Sequence, residues 1–159
     1  MSTPKEAAIN TISRGKKLKR DELDKIEEAY CEHRGEIRGY LINLLKEHEK
    51  DDYSLEGLQK VVKETPFLMV AYVVNDDCIQ ESPNIYKDHL KAEGKLGLNR
   101  RSFLRYITTK RDRYFMSDPY YNETSGKIYV LLYEEHENKM LFFNFDIKSV
   151  LQKLGYLPK

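Results

Sequence analysis

The stretch that most constrains this chain runs from Lys127 to Ile147. Lys127–Glu134 and Lys139–Ile147 are two runs of β-branched, aromatic and aliphatic residues, separated by the polar Glu135–Asn138. In the second run Met140, Phe142 and Asn144 alternate with Leu141, Phe143 and Phe145. A strand with one wet face alternates apolar with polar residues, whereas here both sets are largely apolar. The two runs are therefore expected to form an antiparallel hairpin with both faces covered. A lone hairpin is not stable in water, so the rest of the chain has to supply further strands and the covering layers.

Further strands are legible upstream. Phe67 to Val74 (FLMVAYVV) reads as a central strand, Asn75-Asp76-Asp77 as a turn, and Cys78 to Ser82 as a short return strand. Tyr114–Met116 and Tyr120–Tyr121 flank Ser117-Asp118-Pro119 as one bent strand, and Asn122–Gly126 is a turn. Helices are expected around these. Asp21 is a plausible N-cap, with Glu22 and Asp24 in the first turn. Apolar or semi-apolar residues then recur at threes and fours through Ile26, Ala29/Tyr30, His33, Ile37, Tyr40/Leu41 and Leu44/Leu45, predicting one long helix to about Glu49. Gly35 and Gly39 weaken that helix by about 1 kcal/mol each relative to Ala, and they would allow close backbone approach. Ser54 caps a shorter helix whose Leu55, Leu58, Val61 and Val62 face inward, and Thr65-Pro66 ends it. Short helices are read near Tyr86–Ala92 and over Arg101–Thr109. A last one runs from Lys148 to Leu154 and stops at Gly155.

The sum is an α+β architecture: an antiparallel sheet of about five strands, a long N-terminal helix, and helices covering the sheet. Residues 1–20 form a flexible basic lead-in. Residues 21–159 form one domain, divided into the 21–49 helix and a 54–159 α/β body.

The 159 residues suffice for one buried core. Lys and Arg number 27 against 26 Asp and Glu, a balance that argues against a general nucleic-acid or membrane-surface binder. The cluster Arg14, Lys16, Lys17, Lys19 and Arg20 lacks interleaved aromatics and reads as a solvated tail. The N-terminus has no secretory h-region, and the longest apolar runs are too short to span a bilayer. Cys31 and Cys78 have no ligand spacing and read as free thiols in a reducing compartment, so a cytoplasmic protein is expected.

Catalytic signatures are missing. There is no P-loop, dinucleotide fingerprint or nucleophile elbow. His33, His48, His89 and His136 fall on different elements, with no spacing that would build a metal site. No enzyme activity, cofactor or metal is expected. The informative stretch is Arg100 to Asp146, with Arg101, Arg105, Tyr120, Tyr129 and Asp146 among its polar residues. A guanidinium grips a carboxylate at two points, tyrosine hydroxyls fix orientation, and an acidic residue on the far wall could receive an ammonium group. The same residues also fit solvated surface arginines with structural tyrosines and caps.

Phe67–Ser82 (FLMVAYVVNDDCIQES) resembles the first hairpin of the PDC, or Cache, sensor domains. Arg101-Ser102-Phe103-Leu104 resembles the Arg-x-aromatic-aromatic step of their pocket helix. The segment Tyr114-Phe115-Met116-Ser117-Asp118-Pro119-Tyr120, followed by Thr124-Ser125-Gly126-Lys127, is similar to the family's Ser-Asp-x-Tyr…Thr-Gly stretch. Asn144-Phe145-Asp146-Ile147 looks like its closing Asp-Ile. The resemblance covers residues 22–154 and implies a PAS-like sheet cupping a small carboxylate or amino acid, with signal passing through the N-terminal helix. It implies that Arg101 holds the ligand carboxylate, Phe103 lines the pocket, and Tyr120 and Asp146 contact the polar or amino end. Arg105 and Tyr129 join this set on the charge argument alone. Leu104 stands where the amino-acid-binding subgroup has an aromatic hydroxyl, which speaks against an amino acid. Cys78 replaces a turn glycine, which suggests an altered hairpin.

The expected function is a stand-alone regulatory domain that binds a small carboxylate metabolite and dimerises through the 21–49 helix. A protein–protein interaction module with a vestigial pocket, working through the same helix, is the alternative. Nucleic-acid binding through Lys16–Arg20 ranks below both.

Overall fold

The computed structural model describes residues 16–47, 54–87, 90–91, 114–123, 125–136 and 139–159. Four helices and seven strands are found there: α1 (Lys16–Glu32), α2 (Arg34–Lys46), α3 (Leu55–Glu64), β1 (Leu68–Asn75), β2 (Asn84–Tyr86), β3 (Leu90–Lys91), β4 (Tyr114–Met116), β5 (Tyr120–Asn122), β6 (Lys127–His136), β7 (Lys139–Asp146) and α4 (Ile147–Lys153). The class is α+β, as the residue pattern requires.

All pairings are antiparallel, in the order β3-β2-β1-β7-β6-β4, with β5 also on β6. The first long strand and the last lie side by side at the centre. β4 and β5 occupy successive stretches of the same edge of β6, so they act as the single bent strand expected. Ser117 makes the bend: its N–H donates to Leu131 O at 2.8 Å, and its Oγ accepts from Leu131 N at 2.9 Å. A side-chain oxygen thus replaces a ladder carbonyl where the strand turns away. Since β3 and β4 are at opposite edges, the connection between Lys91 and Tyr114 joins one edge of the sheet to the other.

The helices share one face of the sheet. Leu23, Ile26, Tyr30, Ile37, Leu41 and Leu45 of α1 and α2 bury with Val61 and Val62 of α3 and with Ile147, Val150 and Leu151 of α4. Against them stand Leu68, Ala71, Val73, Ile128, Val130, Leu132, Leu141, Phe143 and Phe145. Two local signals behave as written: Ser54 accepts from Gly57 N at 3.2 Å to cap α3, and Thr65 closes it in extended conformation before Pro66.

Several expectations need correction. The single helix from Asp21 to Glu49 is two. α1 begins at Lys16, upstream of Asp21, and His33 leaves the helical region (φ −123, ψ 23) between α1 and α2. Tertiary contacts hold the break. The His33 ring stacks on Tyr156 at 3.6 Å, its Nδ1 lies 3.3 Å from Glu36, and the Tyr156 hydroxyl donates to the same carboxylate. Gly35 and Gly39 are exposed, and a Cβ on either would meet nothing within 4 Å, so no backbone among the described residues approaches them. The apolar stripe of α1 and α2 is buried in the chain's own core, which removes the reason for expecting a dimer there.

The return strand also shifts. Gln80 makes only an isolated bridge to Val74, and pairing with β1 resumes at Asn84–Tyr86. Ser82 Oγ takes the Val73 N–H at 2.8 Å, and Pro83 has no N–H to give, so regular pairing cannot run through this pair. Cys78 sits at φ 66, the backbone conformation a glycine adopts most easily, so the altered hairpin keeps the glycine geometry. The helix expected over Tyr86–Ala92 is absent where it can be seen, because Tyr86 is in β2 and Leu90–Lys91 form β3. The helix expected at Arg101–Thr109 lies outside the described residues.

Candidate functional site

The second face of the sheet differs in chemistry. Alternation places Tyr72, Val74, Phe115, Leu131, Tyr133 and Phe142 there as a separate buried cluster, with Tyr120 and Met140 packed against it. Register organises them in rows. Phe115 pairs with Tyr133, Tyr133 with Phe142, and Phe142 with Tyr72. Centroid separations of 4.6, 5.2 and 5.1 Å make this a continuous aromatic row across four strands. The next row is Leu131, Asn144, Val70 and Tyr86. Beyond it lie Tyr120, Tyr129 and Asp146. No helix among the described residues packs on this face.

Asn144 is the polar centre. It is 4% exposed, between apolar Leu131 and Val70, and its Oδ1 accepts the Tyr120 hydroxyl. A second amide cluster lies at the β2 side, where Gln80 Nε2 donates to Asn84 Oδ1 and Ser82 O, each at 2.8 Å, and Asn84 contacts the Tyr86 hydroxyl at 3.4 Å. Burying such amides without partners costs about 1–3 kcal/mol each, so they are not an economical way to build a core. Burial pushes the Tyr133 phenol up to about 12. Burial also raises Tyr129, partly offset by its hydrogen bond with Ser125. Both hydroxyls are neutral donors at physiological pH.

Of the residues picked out in the sequence, register brings Tyr120, Tyr129 and Asp146 into one row, and the two tyrosine rings meet edge to face at 6.2 Å. Asp146 has a structural duty there. Its Oδ1 accepts Ser149 N at 3.2 Å, its Oδ2 accepts Ser149 Oγ at 3.0 Å, and Lys127 Nζ lies 3.7 Å away. It is the N-cap of α4. Arg101, Phe103 and Arg105 lie outside the described residues. Asn144 and the aromatic row were missed as site residues, although the alternation of β7 already placed Phe142 and Asn144 on one face.

Two other places were considered. A groove of about 340 Å³ runs between α1, α4 and the β5–β6 turn, lined by Glu22, Tyr121, Lys127, Asp146, Lys148 and Gln152 among others. Its charges are paired across it, Lys148 with Glu22 at 2.6 Å and Lys127 with Asp146. At the sheet edge, the helices grip β4 by its outward carbonyls. Tyr30 donates to Ser117 O at 2.7 Å, Arg38 to Tyr114 O at 3.1 Å, and Arg34 to Met116 O at 3.4 Å, with Arg34 also pairing to Asp118 at 3.2 Å. The edge that carries Tyr120 is thus fastened to the junction of α1 and α2. Among the described residues there is no group of three metal-ligating side chains and no helix long and apolar enough to cross a membrane.

No protein family matches the sequence, and no curated protein matches it either. Among solved structures the chain is similar to the Bacillus subtilis YkuI protein, which has an EAL domain and was solved with its substrate c-di-GMP and calcium. The TM-score is 0.56 at 16% identity, covering 84% of this chain and 36% of that one. This chain therefore spans about a third of the YkuI chain. It also matches the sensory domain of the Campylobacter jejuni chemoreceptor Tlp3 (CcmL) with isoleucine bound, at TM-score 0.48 and 12% identity, covering 97% of this chain and 67% of that one. The likeness to YkuI concerns the fold.

Proposed function

We propose that this chain is a small-molecule-sensing regulatory domain of PAS-like, PDC/Cache type, with its ligand held against the second face of the sheet. The observation that carries this reading is that face itself: a buried aromatic row beside a buried amide whose carbonyl is fixed by Tyr120. A ligand pocket is mostly apolar with a few oriented polar groups, and that is the composition here. Arg101, with Arg105 beside it, supplies the clamp for a carboxylate, and Phe103 adds to the lining. All three come from the connection between the two sheet edges. Tyr120 and Tyr129 complete the wall. Occupancy is passed to α1 and α2 through the bent edge strand, which Tyr30, Arg34 and Arg38 hold by its carbonyls.

The rival reading, an interaction module working through the apolar stripe of 21–49, loses its surface because that stripe is buried within the same chain. A thermal-shift screen of the purified chain against pyruvate, lactate, L-alanine, L-isoleucine and adenine, with Arg101→Ala in parallel, tests the sensor reading. A ligand at a hundredfold over its dissociation constant adds about 2.7 kcal/mol of stability. A stabilising compound whose effect is lost in Arg101→Ala supports the reading. A flat response across the panel contradicts it.

A further inference from the structure

The break between α1 and α2 is one residue wide. His33 takes φ −123 and ψ 23, against about −63 and −42 in a helix. α1 ends with the His33 N–H donating to Ala29 O and Tyr30 O, both at 3.2 Å, and α2 begins with Ile37 N donating to His33 O at 3.0 Å. Sharp helix bends usually come from proline or from glycine and serine pairs, and Glu32-His33-Arg34 contains neither. The buried stripe also keeps its helical spacing across the break, since Ile26, Tyr30, Ile37, Leu41 and Leu45 are all buried. One continuous helix would turn these same residues inward. Residues 16–46 can thus be two helices or one with the same face on the core, and the torsions of His33 separate the two arrangements.

The bent arrangement is held from the other end of the chain. α4 finishes in a Schellman motif: Gly155, at φ 84, donates to Gln152 O at 3.2 Å, and Tyr156 N donates to Leu151 O at 2.8 Å. That turn lays the Tyr156 ring on the His33 ring, 3.6 Å away and within 3° of parallel. The Tyr156 hydroxyl donates to Glu36, whose carboxylate also lies 3.3 Å from His33 Nδ1. This hydrogen bond raises the Tyr156 phenol and lowers the Glu36 carboxyl from their ordinary values.

The residues flanking His33 hold a different part of the molecule. Tyr30 and Arg34 grip Ser117 O, Met116 O and Asp118 at the bend between β4 and β5. A change of conformation at His33 therefore acts on the groups that fasten the sheet edge. There is room for it, because the groove of about 340 Å³ lies between α1 and α4. The Glu22–Lys148 pair that bridges this groove joins two exposed side chains, and such a pair resists movement only weakly.

We propose that His33 is a hinge and Tyr156 its latch. With the latch closed, α1 and α2 are separate and the bent edge is gripped. With it open, residues 16–46 join as one helix, α1 pivots, and the Tyr30 and Arg34 grips on the β4–β5 bend loosen. The device couples the end of α4 to the edge of the sheet. It does not rest on the sensor reading, and its test contains no ligand.

The test uses the full chain labelled with ¹³C and ¹⁵N, as wild type, Tyr156→Ala, His33→Ala and Tyr156→Phe. The Cα secondary shift of residue 33 reports its backbone conformation, and residual dipolar couplings report the angle between α1 and α2. Tyr156→Ala opens the latch, and His33→Ala removes the stacked ring while supplying the best helix former. Both should move residue 33 to helical shifts, straighten α1 on α2, and displace the amide signals of Met116, Ser117 and Asp118. Hydrogen exchange at Ser117 should quicken roughly tenfold, the factor expected when about one ordinary hydrogen bond is lost. Tyr156→Phe keeps the stack and loses the bond to Glu36, so it should move the same signals in the same direction by less. If an alanine variant does not fold, Tyr156→Phe decides by the same criteria.

A residue 33 that keeps its non-helical shift in every variant would overturn the hinge, because the break would then be intrinsic to the helices. Random-coil shifts spreading through α1 would overturn the latch and leave Tyr156 as a packing contact. Helical shifts at residue 33 with Met116–Asp118 unmoved would overturn the coupling to the sheet edge.

Discussion

The two faces of one sheet follow different rules. Toward the helices the side chains are mostly aliphatic and phenylalanine, and packing accounts for Leu68, Val73, Val130, Leu141, Phe143 and Phe145. On the other side tyrosines and amides replace them, yet Tyr72, Tyr133, Phe142 and Asn144 are as deeply buried. The same strands carry both sets, one residue out of phase. Stability requires only the first composition. The second is what a sheet shows when its buried face also has to recognise something polar, and that difference is the physical basis for reading it as functional.

Substitutions in adjacent residues of β7 offer the sharpest way to break this comparison. Phe143→Ala, on the helix-covered face, should cost about 3–5 kcal/mol in urea unfolding through loss of a buried ring and the cavity left behind. Tyr120→Phe/Asn144→Leu, which replaces the next residue together with its hydrogen-bond partner, should change stability by less than about 1 kcal/mol, since exchanging both partners for apolar groups of similar shape is nearly neutral. Comparable losses at both positions would mean the two faces are one kind of core. Tyr30→Phe comes next. It strips Ser117 O of a 2.7 Å hydrogen bond at the edge strand and should cost about 1–2 kcal/mol, read in the same unfolding experiment.

Alkaline titration separates the faces more gently. Burial raises the Tyr133 phenol from 10.0 to about 12, so the folded chain keeps a proton that the unfolded chain releases. Stability from this group is complete below pH 10 and is lost as pH rises toward 12. Tyr129 is raised in the same sense. Tyr133→Phe should therefore flatten the alkaline part of a stability-against-pH curve and leave the neutral part unchanged. The smallest effect lies away from both faces: Gly39→Ala, exposed in α2 with nothing within 4 Å of the added Cβ, should stabilise the chain by about 1 kcal/mol.

Much of this was legible in the residues. The β6–β7 hairpin, the central β1, the Ser117 bend and the Ser54 cap each carry a local signal strong enough to survive tertiary packing. The break at His33 carries none. No proline or glycine occupies that position, and the conformation is held by Tyr156 and Glu36, one of them at the far end of the chain. The late start of β2 depends on a serine hydroxyl capturing the Val73 N–H, which alternation cannot foresee. For the site, alternation placed Asn144 with Phe142, whereas its partnership with Tyr120 depends on register across three strands. Asp146 was readable as an acidic residue before a helix. The cap role follows from that position and is one of the two readings the sequence offers for it, beside a ligand contact.

The central claim is that a small acid binds the second face. Its most direct test is a pyruvate and phenylpyruvate titration of uniformly ¹⁵N-labelled chain followed by NMR. Ligand on that face predicts perturbations concentrated at Tyr72, Phe142 and Asn144, including the Asn144 side-chain amide, with little change at Gln152 and Lys148 beside the groove. Perturbations centred on that groove instead, or a spectrum unmoved by either acid, would contradict it.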